Sequence, residues 1–168
     1  TITLSDTQPP TIGAAGAAAT IECTATPTFT APTATDACNT ATVNTVGADV
    51  TAGNSCVRTI TRTWNAVDAC GNTSGTVAQT ITLSDTQPPT IGAAGAAATI
   101  ECTATPTFTA PTATDACNTA TVNTVGADVT AGNSCVRTIT RTWNAVDACG
   151  NTSGTVAQTI TLSDTQPP

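Results

Sequence analysis

Cysteines are the residues of this sequence with the clearest chemistry. They recur as two sets of four with the same spacing: Cys23, Cys38, Cys56 and Cys70, then Cys102, Cys117, Cys135 and Cys149. An even number of cysteines in a small module is typical of disulfides formed in an oxidising compartment. Zinc is the alternative, but structural zinc sites use closely spaced ligand pairs, and the sequence has neither a CxxC pair nor a histidine. The cysteines therefore predict disulfides.

Carboxylates are the second group with possible chemistry, and most of them lie in turn-like segments. Hard oxygen ligands of this kind suit calcium. The same residue types also satisfy the backbone of turns, which explains Asp68 and Asn72 without any ion. Glycosidases use two carboxyl groups on either side of the bond that they cleave, and Asp36 with Asp68 could form such a pair. The pair recurs unchanged in the second half of the chain, which favours a structural role over catalysis.

The remaining composition excludes several classes of function. The chain has no histidine, and its formal net charge is −7 with only 4 basic residues. Its serine and cysteine side chains therefore lack an activating base, and we predict that it is not an enzyme. Nucleic acid is excluded as a partner because phosphate neutralisation needs clustered basic side chains. No apolar run approaches the length of a membrane span.

Two identical copies of one sequence make up nearly the whole chain. The decapeptide TITLSDTQPP begins at Thr1, Thr80 and Thr159, which gives a period of 79 residues. We expect the following organisation: 1–6 as the terminal strand of a preceding repeat, 7–85 as repeat 1, 86–164 as repeat 2, and 165–168 as the start of the next linker.

The cysteines and carboxylates must be positioned by short β-strands, since threonine is abundant in the sequence and the usual helix formers are scarce. The clearest strand is Val57–Asp68, and a final strand starts near Thr76. Alternation with a period of two predicts which side chains form the core. These residues are Ile60, Trp64, Ala66, Val77, Ile81, Leu83 and, in the second copy, Trp143. Arg62 falls on the same face as Trp64.

Six or seven such strands in each copy predict an all-β fold of tandem Ig-like β-sandwich modules, stapled by disulfides. The linker DTQPP is short, and its paired prolines stiffen it. We therefore expect the modules to stack end to end.

The run WNAVDACGNTSGTVAQTITLSDTQPPTI, together with TATDAC at 33–38, resembles hyalin-repeat (HYR-like) domains. The resemblance is to the four-cysteine type found in giant repetitive surface adhesins of gliding and marine Bacteroidetes. It covers most of each repeat. It implies a non-catalytic protein of the cell surface, adhesive or filament-forming.

Within that resemblance, two-cysteine relatives often place a cysteine near Thr76, and this sequence has none there. Cys23 must therefore find another partner. Cys38 and Cys70 both follow an Asp-Ala pair, in loops that fall at one end of a sandwich. We predict the pairs Cys38–Cys70, Cys23–Cys56, Cys117–Cys149 and Cys102–Cys135, with the two other connectivities left as alternatives.

The same fold brings aspartates to one end of each module. We expect a calcium site at the start of repeat 1, and an equivalent site at the junction of the repeats. The two sets are Asp6, Asp36 and Asp68, then Asp85, Asp115 and Asp147. No other cofactor is expected. The alternative is that these residues only satisfy turn backbone.

These features together favour a structural or adhesive repeat of a long extracellular fibre, acting as a stiff, disulfide-stabilised spacer. Its partners would be neighbouring identical repeats. One alternative is a module that binds surface glycans or cells through its loops. Another is a filament subunit that donates a strand, such as Thr1–Asp6, to other copies.

Overall fold

The computed structural model describes residues 1–166, so the predicted linker at 165–168 lies partly outside the described residues. The chain forms two compact units, Thr1–Asp85 and Thr86–Pro168. All regular elements of the described residues are strands, and the predicted all-β fold of tandem sandwich modules is confirmed. No described element is a helix long and apolar enough to cross a membrane.

Among the described residues, each unit contains seven strands. In the first unit they are β1 Thr11–Ile12, β2 Ala19–Glu22, β3 Ala34–Thr35, β4 Ala41–Thr45, β5 Val50–Gly53, β6 Val57–Asp68 and β7 Val77–Ser84. In the second unit they are β8 Thr90–Ile91, β9 Ala98–Glu101, β10 Ala113–Thr114, β11 Ala120–Thr124, β12 Val129–Gly132, β13 Val136–Asp147 and β14 Val156–Ser163.

Most strands of a unit belong to one five-stranded sheet. Its order in the first unit is β2-β7-β6-β4, and β5 pairs with β6 beyond the end of β4. Strand β7 is antiparallel to β6 but parallel to β2. The short strands β1 and β3 form a separate two-stranded sheet. The second unit repeats this topology with β9, β14, β13, β11 and β12.

The core lies on one face of β6 and β7, where residues alternate between buried and less buried. Trp64, Ala66, Ile81 and Leu83 are buried, as are their counterparts in the second unit, including Trp143. Ile60 and Val77 are half-buried. The buried apolar set is small because alanine and threonine replace larger side chains elsewhere, so polar contacts must contribute much of the stability.

A buried glutamine fastens the irregular segments on either side of β2, 13–18 and 23–33, to this face of the sheet. Gln79 is only 6% exposed. Its amide nitrogen donates to the carbonyl of Ala17 at 2.8 Å, and its amide oxygen accepts from the N–H of Thr30 at 2.8 Å. The backbone at Gly16 can lie close to the Gln79 amide because glycine has no Cβ, and a Cβ there would be only 2.8 Å from the amide nitrogen.

Replacing this glutamine with leucine in both units should destabilise the fold strongly. The variant Gln79→Leu with Gln158→Leu removes the hydrogen bonds to the Ala17 carbonyl and from the Thr30 N–H, and their counterparts in the second unit, which costs about 1–3 kcal/mol per unit. Chemical denaturation measures the loss. The control is Asn44→Leu with Asn123→Leu, because the Asn44 amide is exposed and donates only to Thr42. An equal loss in both variants would contradict the fastening role.

Candidate functional site

Two cysteines flank the end of β7, at what we call the outgoing end of the unit. Cys23 directly follows β2, and its N–H donates to the carbonyl of Ser84 at 3.0 Å. Cys56 directly precedes β6, and its carbonyl accepts from the N–H of Asp85 at 2.9 Å. These two backbone bonds lie on opposite sides of β7, because β2 and β6 are its two neighbours in the sheet.

The other two cysteines lie in the turns 36–39 and 69–72, which together with Asp6 we call the incoming end. Asn39 joins the turns: its side-chain oxygen accepts from the N–H of Ala69 at 2.9 Å, and its nitrogen lies 3.7 Å from the Cys70 sulfur. Burial raises the pKa of the Cys70 thiol, and the carboxylates of Asp6 and Asp68 raise it further. This thiol is therefore protonated at neutral pH.

The bonding states of the cysteines differ between the identical copies. Cys23 and Cys56 are disulfide-bonded in the first unit, and Cys117 and Cys149 in the second. The other four residues are free thiols: Cys38, Cys70, Cys102 and Cys135. The predicted bonds Cys38–Cys70 and Cys102–Cys135 are thus not formed in this structure.

The sheet order also opposes the predicted bond between Cys23 and Cys56. Neighbouring strands lie about 4.8 Å apart, so two residues on either side of β7 are separated by about 9.5 Å. A disulfide joins Cα atoms no more than about 7 Å apart. Cys102 and Cys135 flank the end of β14 in the same way, bonded to Ser163 and Asp164.

Two of the aspartates predicted to bind calcium come together at the incoming end. Side-chain ligand atoms of Asp6, Asp36 and Cys38 lie within 4.8 Å of one another. Asp6 accepts from the Asn39 amide at 2.6 Å, and Asp36 accepts from the backbone N–H groups of Cys38 and Asn39. Both carboxylates therefore also serve as turn acceptors.

Asp68 does not belong to this group of three. One of its oxygens accepts from the backbone N–H groups of Cys70 and Asn72, and the other accepts from the Asn72 side chain. Burial acts to raise the pKa of Asp68, but these hydrogen bonds outweigh it and the pKa is lowered. Its contacts are those of a turn residue.

The second predicted calcium set shows the same turn geometry within its unit. Asp115 accepts from the N–H groups of Cys117 and Asn118, and Asp147 from Cys149 and Asn151. Asp85 is the last residue of the first unit. Its association with Asp115 and Asp147 stays a prediction.

A stacked cluster that the sequence analysis missed closes one edge of the core. Arg62 makes two hydrogen bonds to Asp49, at 2.8 and 2.7 Å, and its guanidinium lies 4.3 Å from the centre of the Phe29 ring. Phe29 packs edge-on against Trp64. The pairing of Val50 with Thr61 brings Asp49 beside Arg62. Asp49 could be recognised as the partner of Arg62 only from this strand register.

Together, these observations define a class of protein: cysteine-rich, all-β tandem repeats in which polar side chains stabilise the turns and strand ends by hydrogen bonds. The family described as "HYR-like domain with 4 cysteines" matches residues 11–83 and 90–162. The chain therefore belongs to this family, and the predicted resemblance is confirmed at that level. HYR-like domains are typically extracellular repeats of the adhesion type. No curated protein matches the chain.

Acid should destabilise the fold through Asp68 and its counterpart Asp147, whose pKa values are lowered in the folded state. A lowered pKa gives stability that is complete above the ordinary carboxyl range and is lost as pH falls through the folded-state value. Denaturation at a series of pH values measures this. The variant Asp68→Asn with Asp147→Asn should be less stable at neutral pH and should lose less in acid; an unchanged acid dependence would contradict it.

Proposed function

We propose that each unit is a stiff, load-bearing spacer in a long extracellular fibre of the surface-adhesin type. The observation that supports this most directly is the parallel pairing of β2 with β7. The family supports an extracellular, adhesion-type setting. Exact repetition would set the reach of such a fibre through copy number.

The parallel pair has the geometry of a shear clamp. Ala19 pairs with Ile81 and Glu22 with Ser84, and the Cys23 N–H continues the ladder to Ser84. The chain runs into β2 from its amino-terminal side and leaves the unit from the end of β7. Tension along the chain therefore pulls the two strands in opposite directions, and their hydrogen bonds share the load instead of opening one at a time.

Single-molecule pulling tests this role, since forced unfolding depends on the unfolding barrier in the direction of pull. With handles at the two chain termini, we expect a high unfolding force for the first unit. With handles at the amino terminus and at Gly75, both handles pull at the starts of the parallel strands β2 and β7. The hydrogen bonds between these strands then open one after another, and the unfolding force should fall severalfold. A Cβ atom added at Gly75 would meet no atom within 4 Å, so an attachment residue fits at this position.

Equal unfolding forces in the two pulling directions would contradict the load-bearing role. Ile21→Pro provides a further comparison. The Cys23 N–H faces β7, and alternation places the Ile21 N–H on the same side, so proline removes a donor from the clamp. Thr20→Pro is the matched control because its N–H faces the open edge, where proline is tolerated.

Calcium binding at the incoming end is a finer part of the proposal. The proximity of the Asp6 and Asp36 carboxylates supports it, and oxygen ligands suit the ion. Calcium should raise the melting temperature of the chain relative to EDTA, since a ligand of the folded state stabilises it. Asp36→Asn with Asp115→Asn should abolish the increase. An unchanged melting temperature in calcium and EDTA would overturn this part.

Strand donation between chains is a second candidate, favoured by the exposed segment Thr1–Leu4. Ile2 and Leu4 are 91% and 94% exposed, whereas the identical residues Ile81 and Leu83 are 3% and 2% exposed. The segment therefore has the side chains of a core strand. In each described unit, however, β7 or β14 already fills the corresponding place in the sheet, so the spacer is the better-supported function.

A further inference from the structure

The five-stranded sheet of each unit has an outer face, on the side opposite the core. Alternation along β6 and β7 places on it the residues between the buried ones, and strand register adds residues of β2, β4 and β5. We call it the threonine face. In the first unit its centre consists of Thr20, Thr59, Thr61, Thr63, Thr80 and Thr82, none of which is buried.

Three exposed valines of the first unit also lie on the threonine face. Val50 is 65% exposed and pairs with Thr61, while Val57 is 49% exposed and precedes Thr59 by two residues on β6. Val46 is 41% exposed and extends β4 at an outward position. Single exposed apolar residues are ordinary, but several on one face mark a surface for contact with another protein.

Charge is almost absent from the threonine face, although the chain has a formal net charge of −7. Among the described residues of the first unit, Glu22 is the only charged residue that alternation and register place on this face. The arginines of β6 fall on the core side, where Asp49 holds Arg62. Two copies can therefore bring these faces together without opposing their carboxylates, whereas contact through the acidic turns would bring like charges together.

We propose that the threonine face docks against the same face of a second copy of this chain. The proposal goes beyond the spacer function and does not depend on it. A hydroxyl group both donates and accepts hydrogen bonds, so two such faces match each other. Thr61 and Thr80 show this within one face: their hydroxyl oxygens lie 2.9 Å apart, and either can donate. Small side chains also suit the spacing of about 10 Å between packed sheets.

The size of the face predicts a weak contact. With about 3.3 Å per residue and about 4.8 Å between strands, the five strands of one sheet have a plan area of about 500 Å². A stable interface of standard size buries about 800 Å² on each partner. Contacts of this size become effective when they are repeated, and both units of the chain carry the face.

Analytical ultracentrifugation of the full chain tests the proposal. Free thiols are alkylated and EDTA is added, so that neither disulfides nor calcium can join the chains. We expect the average mass to rise reversibly with protein concentration. Added sodium chloride should strengthen the association, because salt screens the repulsion between acidic chains. A monomer at every concentration up to about 1 mM, or an association that salt weakens, would overturn the proposal.

Matched variants place the same charge on opposite faces of one strand. Val50→Glu with Val129→Glu adds carboxylates to the threonine face and should weaken the association at least tenfold. Thr51→Glu with Thr130→Glu is the control, since Thr51 is exposed but pairs with Ile60 and lies on the other side of the sheet. Equal effects of the two variants would contradict docking through the threonine face.

Opposite charges should restore the contact between two such faces. A mixture of the Val50→Glu, Val129→Glu chain with a Val50→Lys, Val129→Lys chain should associate more strongly than either chain alone. The corresponding mixture with glutamate and lysine at Thr51 and Thr130 should not show this gain. A gain of equal size in both mixtures would contradict the proposal.

Strand donation is the competing way for two copies to associate, and it is separable from face-to-face docking. Deletion of residues 1–4 should leave the average mass unchanged at each concentration. A loss of association in this variant would show strand donation and overturn the proposal. Pulling experiments use single chains, so a failure of docking and a failure of the spacer function are distinguishable.

Discussion

The position of β7 between β2 and β6 is the constraint on which most of the structure depends. Its inward side chains Ile81 and Leu83 supply much of the buried core, and Gln79 on the same face holds the irregular segments before and after β2 in place. Its parallel pairing with β2 gives the unit the strand pair that would be sheared by tension along the chain. Because β7 lies between β2 and β6, it also keeps Cys23 apart from Cys56. One strand thus links the packing, the proposed mechanics and the disulfide chemistry.

Polar contacts must contribute to the stability of this fold because few large apolar side chains are buried. The sequence contains only 2 tryptophans and 2 phenylalanines, and a small domain with such a core is marginal on burial alone. Hydrogen bonds at Gln79, Asp68 and Asn39 fix the layers and turns, while Arg62 covers Phe29 and is held by Asp49. Breaking a buried contact of this type costs more than its formation gains, because a desolvated partner remains.

The two ends of a unit differ in chemistry. The outgoing end presents cysteines just after β2 and just before β6, while the incoming end presents cysteines in turns lined by Asp6, Asp36 and Asp68. Burial and, to a smaller extent, these carboxylates raise the pKa of the Cys70 thiol and so disfavour its thiolate, the reactive form. A cation near these carboxylates would act in the opposite direction, so the proposed calcium site and the Cys70 thiol would influence each other at these turns.

The sequence by itself determined the repeat, the all-β class and the family, because these depend on periodicity and on motifs that are local in the chain. Alternation along Val57–Asp68 and Val77–Ser84 marked the residues that are buried, since side chains of a strand alternate between its faces. Contacts between segments distant in the chain were decided only by the tertiary structure. The partner of Arg62, the role of Gln79 and the separation of Cys23 from Cys56 all depend on strand order and register, which cysteine spacing does not encode.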